Sequence, residues 1–198
     1  MGQAKKQNNK SRSRIISAFQ DLLRSKDYCD ISIGEILDRA DVSKSTFYRH
    51  FERKLEVLLE MHDAIFERFL SDLTTKEDWL STEVRPSVET MFIALTTQSN
   101  FRRPMSFKLD KDWPQGFRLV KAKLAGYIEQ KLVIAFNNQP MIIPIPLLSA
   151  TLAAMYIENV IQLVHRTSPL SVNKRALHMQ TMTRSIIAGA LKDETNPQ

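Results

Sequence analysis

Residues 32–51 read SIGEILDRADVSKSTFYRHF, and the fold of the N-terminal part of the chain follows from this segment. Ser32 and Glu35 have the spacing of a capping box, in which each side chain binds the other residue's backbone N–H at the start of a helix. Apolar residues then recur on one face until Asp41, a residue type that tolerates a left-handed turn. Ser43 is a preferred N-cap for a short helix over the rest of the segment. The sequence therefore predicts two helices joined by a tight turn.

Two helices joined in this way form a helix-turn-helix, whose second helix can enter the major groove of DNA. The polar residues of the second helix suit that role because they offer hydrogen-bond donors and acceptors; they are Lys44, Ser45, Thr46, Tyr48 and Arg49. The alternative is an ordinary helical hairpin with a polar outer face. The spacing alone leaves both interpretations open.

Apolar residues at helical spacing predict helices over most of the remaining chain. The predicted helices cover residues 14–23, 54–73, 84–98, 101–110, 114–136, 146–166 and 172–192. We therefore expect an all-α fold of about nine helices. A three-helix helix-turn-helix DNA-binding domain is expected over residues 1–54, with a flexible arm over residues 1–11. A larger helical domain for ligand binding and dimerisation is expected over residues 55–198.

Positive charge is concentrated at the N-terminal end of the chain. Residues 1–54 carry 12 Lys and Arg against 7 Asp and Glu, whereas the other 144 residues carry 16 against 15. This local excess favours a partner with phosphate groups, although a solvated N-terminal arm would give the same excess. The chain has one cysteine, and its sequence contains no apolar segment of bilayer length and no apolar signal sequence. A cytoplasmic protein is therefore expected.

The segment 32–51, followed by Lys54, resembles the N-terminal domain of TetR-family transcriptional regulators. The resemblance covers about residues 12–58 and rests on Val-Ser, Phe-Tyr, His-Phe and the following lysine at the family's spacing. The sequence departs from the family at two positions, with Leu37 where alanine is usual and Asp41 where glycine is usual. The resemblance implies a regulator of transcription that binds an operator in double-stranded DNA.

The resemblance also implies roles for individual residues at the DNA. Residues 43–49 would form the recognition helix, whose N-terminal end reaches base edges, while Tyr48 and Lys54 would contact phosphates. Ser32 would offer a phosphate its hydroxyl and the free N–H groups of a helix start. The candidate DNA-binding residues are Ser32, Ser43, Lys44, Ser45, Thr46, Tyr48, Arg49 and Lys54. Arg12 and Arg14 either extend these contacts or belong to a frayed arm.

The helix predicted over residues 146–166 is apolar nearly all round, so it requires two packing surfaces. One surface lies in its own core. A four-helix interface between the last two helices of each of two copies would provide the other. The alternative is a fully buried central helix in a monomer. A homodimer is also expected because one helix-turn-helix covers too little DNA to select a genomic site.

Large, adaptable side chains are frequent in the middle of the chain, as expected for the lining of an apolar ligand pocket. The same pattern is typical of an ordinary core, but the resemblance favours a pocket because family members often bind a small molecule there. The candidate pocket residues are Phe66, Met91, Phe92, Leu95, Met105, Phe117, Tyr127, Tyr156 and Asn159. The expected effector is a small apolar or aromatic molecule.

No arrangement of residues in the sequence indicates an enzyme, a metal site or a cofactor. The histidines lack the spacing of metal ligands, and neither a glycine-rich phosphate loop nor a Gly-x-Ser-x-Gly motif occurs. A nonspecific nucleic-acid binder would not need a recognition helix joined to a nearly neutral helical body. We therefore predict a ligand-responsive repressor. Activation is the alternative sign of regulation, and a helical enzyme is the alternative class.

Overall fold

The computed structural model describes residues 2–97, 110–137, 139–164 and 170–192. These residues form nine α-helices, which we number α1 to α9 in chain order. They are α1 (Gly2–Leu23), α2 (Ile33–Ala40), α3 (Lys44–His50), α4 (Lys54–Phe69), α5 (Lys76–Trp79), α6 (Pro86–Thr97), α7 (Trp113–Ala135), α8 (Ile145–Val164) and α9 (Val172–Ala188). Short 3-10 helices over Tyr28–Asp30 and Asp110–Asp112 precede α2 and α7. The predicted all-α fold is confirmed.

The start of the chain differs from the prediction. α1 begins at Gly2, so residues 2–11 are helical, which corrects the expectation of a flexible arm over residues 1–11. Gln, Ala and Lys, which make up residues 3–7, are good helix formers, and no proline interrupts the segment. The helix predicted to begin at residue 14 therefore continues towards the N-terminus.

α5 is a single helical turn that the pattern of apolar residues does not predict. Its start is fixed by a second capping box, in which Thr75 Oγ1 accepts from the N–H of Asp78 at 3.3 Å and Asp78 Oδ2 accepts from the N–H of Thr75 at 2.9 Å. Four residues are too few to display a helical period. The helix predicted over residues 101–110 lies outside the described residues except for its last position.

The chain divides into two compact units. The first contains the described residues up to 65 together with 110–117, and the second contains the others. α4 and α7 therefore contribute residues to both units. The predicted boundary after residue 54 stays a prediction, since a division by packing does not locate the limits of a functional domain.

In the first unit, α1 packs against α2 and α3. The side chains of Ile15, Phe19, Ile36 and Phe47 have no exposed surface and form the centre of this packing. Phe19 also meets the ring of Tyr28 edge-on, with 6.2 Å between the ring centroids. Because the apolar faces of all three helices point inwards, the polar residues of α3 remain on the outside.

In the second unit, α9 packs against α5, α6 and α8, and α6 also packs against α8. Large apolar side chains without exposed surface fill the space between these helices, among them Trp79, Phe92, Ile128, Leu132 and Leu152. Within the described ranges, no helix combines the length and the apolar character that crossing a bilayer requires.

Two neighbouring residues of α6 test this core. Phe92 has no exposed surface, whereas Ile93 is 46% exposed. Phe92→Ala is expected to lower the free energy of unfolding by about 3–5 kcal/mol, because it removes buried apolar surface and leaves a cavity. Ile93→Ala should cost less than about 1 kcal/mol. Urea unfolding followed by circular dichroism measures both, and equal losses would contradict the burial of Phe92.

Candidate DNA-binding site

The start of α2 is fixed by the predicted capping box. Ser32 Oγ accepts a hydrogen bond from the N–H of Glu35 at 3.2 Å, and the N–H of Ser32 donates to Glu35 Oε2 at 2.9 Å. Glu35 also pairs with Lys26, and the hydrogen bonds from Lys26 and then Ser32 lower the pKa of the Glu35 carboxyl to about 2. The hydroxyl of Ser32 itself donates to Glu35 Oε2 at 2.9 Å. A phosphate contact by that hydroxyl would require it to turn away from Glu35.

The turn between α2 and α3 depends on Asp41. Its φ of 49° and ψ of 57° lie in the left-handed region, which confirms the predicted turn. Asp41 stands where glycine is usual in the family that this segment resembles. A side chain at such a position brings strain that surrounding contacts must offset. Arg14 of α1 supplies them, because its Nη2 donates to the carbonyl oxygen of Asp41 at 2.7 Å and to Asp41 Oδ2 at 2.6 Å. One guanidinium therefore holds both the backbone and the side chain of the turn.

The short helix α3 is held by one cap and one buried ring. Ser43 Oγ accepts from the N–H of Thr46 at 3.2 Å, which confirms the predicted N-cap. The same oxygen lies 2.9 Å from the hydroxyls of Ser45 and Thr46. Phe47 is completely buried, and its ring lies 5.8 Å from that of Phe51, which is also buried. These contacts fix the orientation of a helix that has only seven residues.

The candidate base-reading side chains lie on the outer side of α3. Lys44, Ser45, Tyr48 and Arg49 are exposed, and Thr46 is half-buried. Residues three and four apart lie on the same side of a helix, as do Lys44 and Tyr48, and Ser45 with Tyr48 and Arg49. The structure therefore brings together a set of donors and acceptors of the kind that reads base edges in a major groove.

Lys54, the candidate phosphate ligand at the start of α4, has contacts within the protein. Its Nζ donates to the carbonyl oxygen of Ile31 at 2.6 Å and also to that of Tyr28. It lies 4.1 Å from the centroid of the Tyr28 ring, a cation–π arrangement. Burial lowers the pKa of Lys54, while nearby Asp112 opposes that effect. An ammonium has three N–H groups, so one donor of Lys54 remains for a phosphate.

Tyr28 and Asp112 form a contact that the sequence does not predict. The Tyr28 hydroxyl donates to Asp112 Oδ2 at 2.6 Å, across 84 positions of sequence. Tyr28 is 4% exposed, and burial followed by this hydrogen bond raises its pKa. Lys54 attaches the loop between α1 and α2 to the start of α4, and Asp112 attaches it to the 3-10 helix before α7. No local pattern marks Asp112 as a partner of Tyr28.

Arg12 and Arg14 do not belong to a frayed arm. Arg12 forms a bidentate ion pair with Glu60 and lies 5.2 Å from the centroid of the Phe51 ring. Arg14 is engaged with the turn as described above. His50, whose ring nitrogen lies 2.8 Å from the Ser11 hydroxyl, has a lowered pKa because of burial and then the charge of Arg49. These contacts attach α1 to the turn before α3, to the end of α3 and to α4.

Six of the candidate pocket residues lie in or against the core of the second unit: Phe66, Met91, Phe92, Leu95, Tyr127 and Tyr156. Asn159 donates to the carbonyl oxygen of Met155 at 2.9 Å. Phe117 lies in the first unit, with its ring 5.1 Å from that of Trp113, and Met105 lies outside the described residues. Within the described ranges, no three His, Cys, Asp or Glu side chains are placed to hold a metal ion. The pocket stays a prediction.

Known proteins resemble the chain most clearly around the helix-turn-helix. Residues 15–61 match the family described as bacterial regulatory proteins, tetR family. Over 65 residues the chain is 31% identical to the HTH-type dhaKLM operon transcriptional activator DhaS of Lactococcus lactis, which covers 33% of this chain and 35% of DhaS. Over 137 residues it is 27% identical to an uncharacterized HTH-type transcriptional regulator of Haemophilus influenzae, which covers 63% of this chain and 66% of that protein. The chain thus matches less than two thirds of the length of each relative.

The fold is also similar to that of a solved TetR transcriptional regulator from Streptococcus agalactiae. The TM-score is 0.52 at 21% sequence identity, and the alignment covers 91% of this chain and 97% of that one. At this identity the likeness concerns the fold alone. The matched family consists of regulatory proteins, and the named relatives are regulators of transcription. Both findings support the prediction that the chain is not an enzyme. The predicted resemblance is confirmed at the helices that form the candidate site.

The contact between Arg14 and Asp41 leads to a prediction in which two effects have opposite signs. Asp41→Asn keeps a residue that tolerates the left-handed turn but removes the charge that Arg14 binds. Simple electrostatics predicts tighter binding of any DNA after loss of a negative charge. We expect instead that the ratio of the affinity for a specific DNA site, identified by selection from a random library, to the affinity for scrambled DNA falls about two- to fivefold. The reason is that α3 is less firmly oriented. Fluorescence anisotropy on both DNAs measures this ratio.

Asp38→Asn is the matched control, since it removes an exposed carboxylate from the end of α2, three residues before Asp41, and Asp38 forms no ion pair with Arg14. Its ratio of specific to scrambled binding should be that of the wild type. If Asp41→Asn behaves like Asp38→Asn, the ion pair does not orient the recognition helix.

Proposed function

We propose that the chain is a member of the TetR family of bacterial regulatory proteins and acts as a ligand-responsive repressor of transcription. In this proposal a homodimer acts in the cytoplasm on a palindromic or near-palindromic operator. The observation that carries the proposal is the exposed polar side of α3, which is oriented by the cap at Ser43 and by the buried ring of Phe47.

The charges of this surface suit a nucleic acid. α3 contains Lys44 and Arg49 and has no acidic residue. The nearest preceding carboxylate in the sequence, that of Asp41, is paired with Arg14. In the proposed complex Lys44, Ser45 and Thr46 contact base edges, and Tyr48, Lys54 and Ser32 contact phosphates, with Ser43 and Arg49 at the border of the two sets.

A second copy of the chain is the proposed partner for the last two helices. α8 packs against α9, yet Leu147 of α8 is 60% exposed, and Leu177 and Met182 of α9 are 43% and 37% exposed. A two-fold related copy would remove these apolar side chains from water. Binding of a dimer to an operator requires two recognition helices about 34–36 Å apart, the spacing of successive major grooves on one side of the duplex.

The second unit is the proposed place of ligand binding. α4 begins at Lys54 in the first unit and ends at Phe69 in the second, so it connects the candidate DNA contacts to the candidate pocket by continuous helix. A ligand weakens operator binding to the extent that it prefers one of two positions of such an element. Activation is the second candidate, because DhaS of Lactococcus lactis is named as an activator. Transcription of the target promoter with and without the chain distinguishes the two signs.

The decisive experiment is selection of DNA from a random library by the purified protein. We expect an enriched motif with two related halves, and the absence of any motif at low and moderate salt would contradict operator binding. Lys44→Ala and Thr46→Ala are expected to change the preferred bases, at a cost of about 1–3 kcal/mol per lost base contact. Lys54→Ala and Tyr48→Ala should weaken binding to all sequences, and Lys54→Ala should reduce the salt slope by about one.

Because Lys54 also binds two backbone carbonyls, thermal unfolding must accompany the DNA measurements for Lys54→Ala. Lys174→Ala is the control, since it removes an exposed cation from α9 in the second unit. It should alter neither the motif nor the stability. Equal losses on every DNA for all four substitutions in the site would contradict the division into base and phosphate contacts.

The proposed dimer has its own test. Leu177→Glu places a charge in the proposed interface, where its desolvation would oppose association. We expect the dissociation constant of the dimer to rise at least about tenfold in analytical ultracentrifugation. Ile134→Glu is the matched control, because Ile134 is 72% exposed on α7, outside the proposed interface. Dissociation in both variants, or in neither, would contradict an interface built from α8 and α9.

A further inference from the structure

Arg175, in the first turn of α9, is a buried cation that has no anionic partner among the described residues. The residue is 4% exposed, and its Nε is buried without a hydrogen-bond acceptor. Among the described residues its side chain has one polar contact, from Nη1 to Gln162 Oε1 at 3.5 Å, which is long for a hydrogen bond. A guanidinium stays charged at any physiological pH. A buried charge is costly unless an anion or several good acceptors accompany it, so this side chain requires an explanation.

The surroundings of Arg175 do not supply that anion. Ala176 and Met179, which follow it on α9, are completely buried in the apolar core of the second unit. The amide of Gln162 donates to Glu158 Oε1 at 2.9 Å, which leaves the amide oxygen of Gln162 directed at Arg175. Glu158 is exposed and forms no ion pair with Arg175. The described neighbours of the guanidinium therefore offer one neutral oxygen.

Arg175 lies in the same unit as most of the candidate pocket residues. α9 packs against α8, which carries Tyr156 and Asn159, and against α6, which carries Met91 and Phe92. All of these residues belong to the second unit. Because Arg175 is buried within a single protomer, a second copy of the chain docking on the outer surface would not neutralise it.

We propose that Arg175 is the counter-charge for an effector that consists of an apolar body and a single carboxylate. A carboxylate matches the planar fork of a guanidinium with two parallel hydrogen bonds. Its one negative charge balances the one buried positive charge, whereas a phosphate monoester would bring about two charges into apolar surroundings. This inference rests on the proposed function in that it requires the second unit to bind an effector, and it narrows that effector from apolar molecules in general to apolar monocarboxylic acids.

The test compares acids with their neutral amides on the purified full-length protein. The probes are benzoate against benzamide and hexanoate against hexanamide, and the readouts are thermal unfolding and titration calorimetry. We expect at least one acid to raise the melting temperature, because a ligand that binds only the folded state stabilises it. The matching amide should have no such effect. Arg175→Met should weaken acid binding about 30-fold or more, since it removes the buried partner of the carboxylate.

Three further measurements make the test strict. Without ligand, Arg175→Met should melt at or above the wild-type temperature, because methionine retains an apolar side chain and removes an uncompensated charge. Arg175→Lys keeps the charge and loses the fork, so it should bind the acid with intermediate affinity. Lys174→Met removes the adjacent exposed cation and should keep the full response to the acid.

Several results would overturn the proposal. Acids and amides that act alike, no acid that stabilises the wild type, or an acid response that survives in Arg175→Met would each do so. Strong destabilisation by Arg175→Met without ligand would show that the protein itself compensates the charge. These measurements contain no DNA, so their failure would leave operator binding untouched. Conversely, a protein that responds to acids but selects no DNA motif would contradict the proposed regulator of transcription and support the carboxylate site at Arg175.

Discussion

Burial of Phe47 is the constraint on which the candidate DNA-binding surface depends. α3 has seven residues, and a helix of that length is not stable alone in water because nucleation costs more than so few hydrogen bonds return. Its stability must come from tertiary packing, and Phe47 provides that packing against the core formed with Ile15, Phe19 and Ile36. The same burial turns the other side of α3 outwards. One aromatic side chain thus decides both that the helix exists and which residues it presents.

The turn that precedes α3 illustrates how a departure from a family pattern is accommodated. Asp41 occupies a left-handed conformation that glycine would adopt at lower cost. Unlike glycine, aspartate has a carboxylate, and Arg14 binds this carboxylate together with the carbonyl oxygen of the same residue. The Asp41 side chain is 94% exposed and that of Arg14 is 42% exposed, so solvent screens the pair and it contributes little to stability. Its effect is on geometry, because it attaches the turn to α1.

The two units differ in what their polar groups indicate. In the first unit the buried or half-buried polar groups, such as Tyr28 and Lys54, have partners within the protein. In the second unit Gln180 and Thr183 also have partners, whereas Trp79 Nε1 and the Nε atoms of Arg85, Arg175 and Arg184 are buried without an acceptor among the described residues. Arg85 is paired with Asp78 and Arg184 is half-buried, so Arg175, with one distant neutral acceptor, is the clearest exception. Buried polar groups in folded proteins are almost always hydrogen-bonded, so an exception is more informative about function than an additional apolar residue in a core. For this reason the candidate pocket is better defined by one buried charge than by its aromatic residues.

The sequence by itself determined the features whose interactions span only a few residues. The capping box of Ser32 and Glu35, the cap at Ser43, the turn at Asp41 and the helical periods all depend on neighbours within about one helical turn, so they are legible in the printed chain. The single turn of α5 was missed because it is shorter than the period that would reveal it. The helix through residues 2–11 contains no apolar period, so the pattern that indicates the other helices does not extend to it.

Tertiary structure alone decided which distant residues meet. Tyr28 binds Asp112, which lies 84 positions away in the sequence, and Arg14 binds Asp41, which lies 27 positions away. Lys54 binds the carbonyl oxygen of Ile31, 23 positions before it. Arg175 reads as an ordinary surface residue until its burial is known. The physical reason is that a hydrogen bond within one turn follows from backbone geometry, whereas a contact between remote side chains exists only after the helices that carry them have packed.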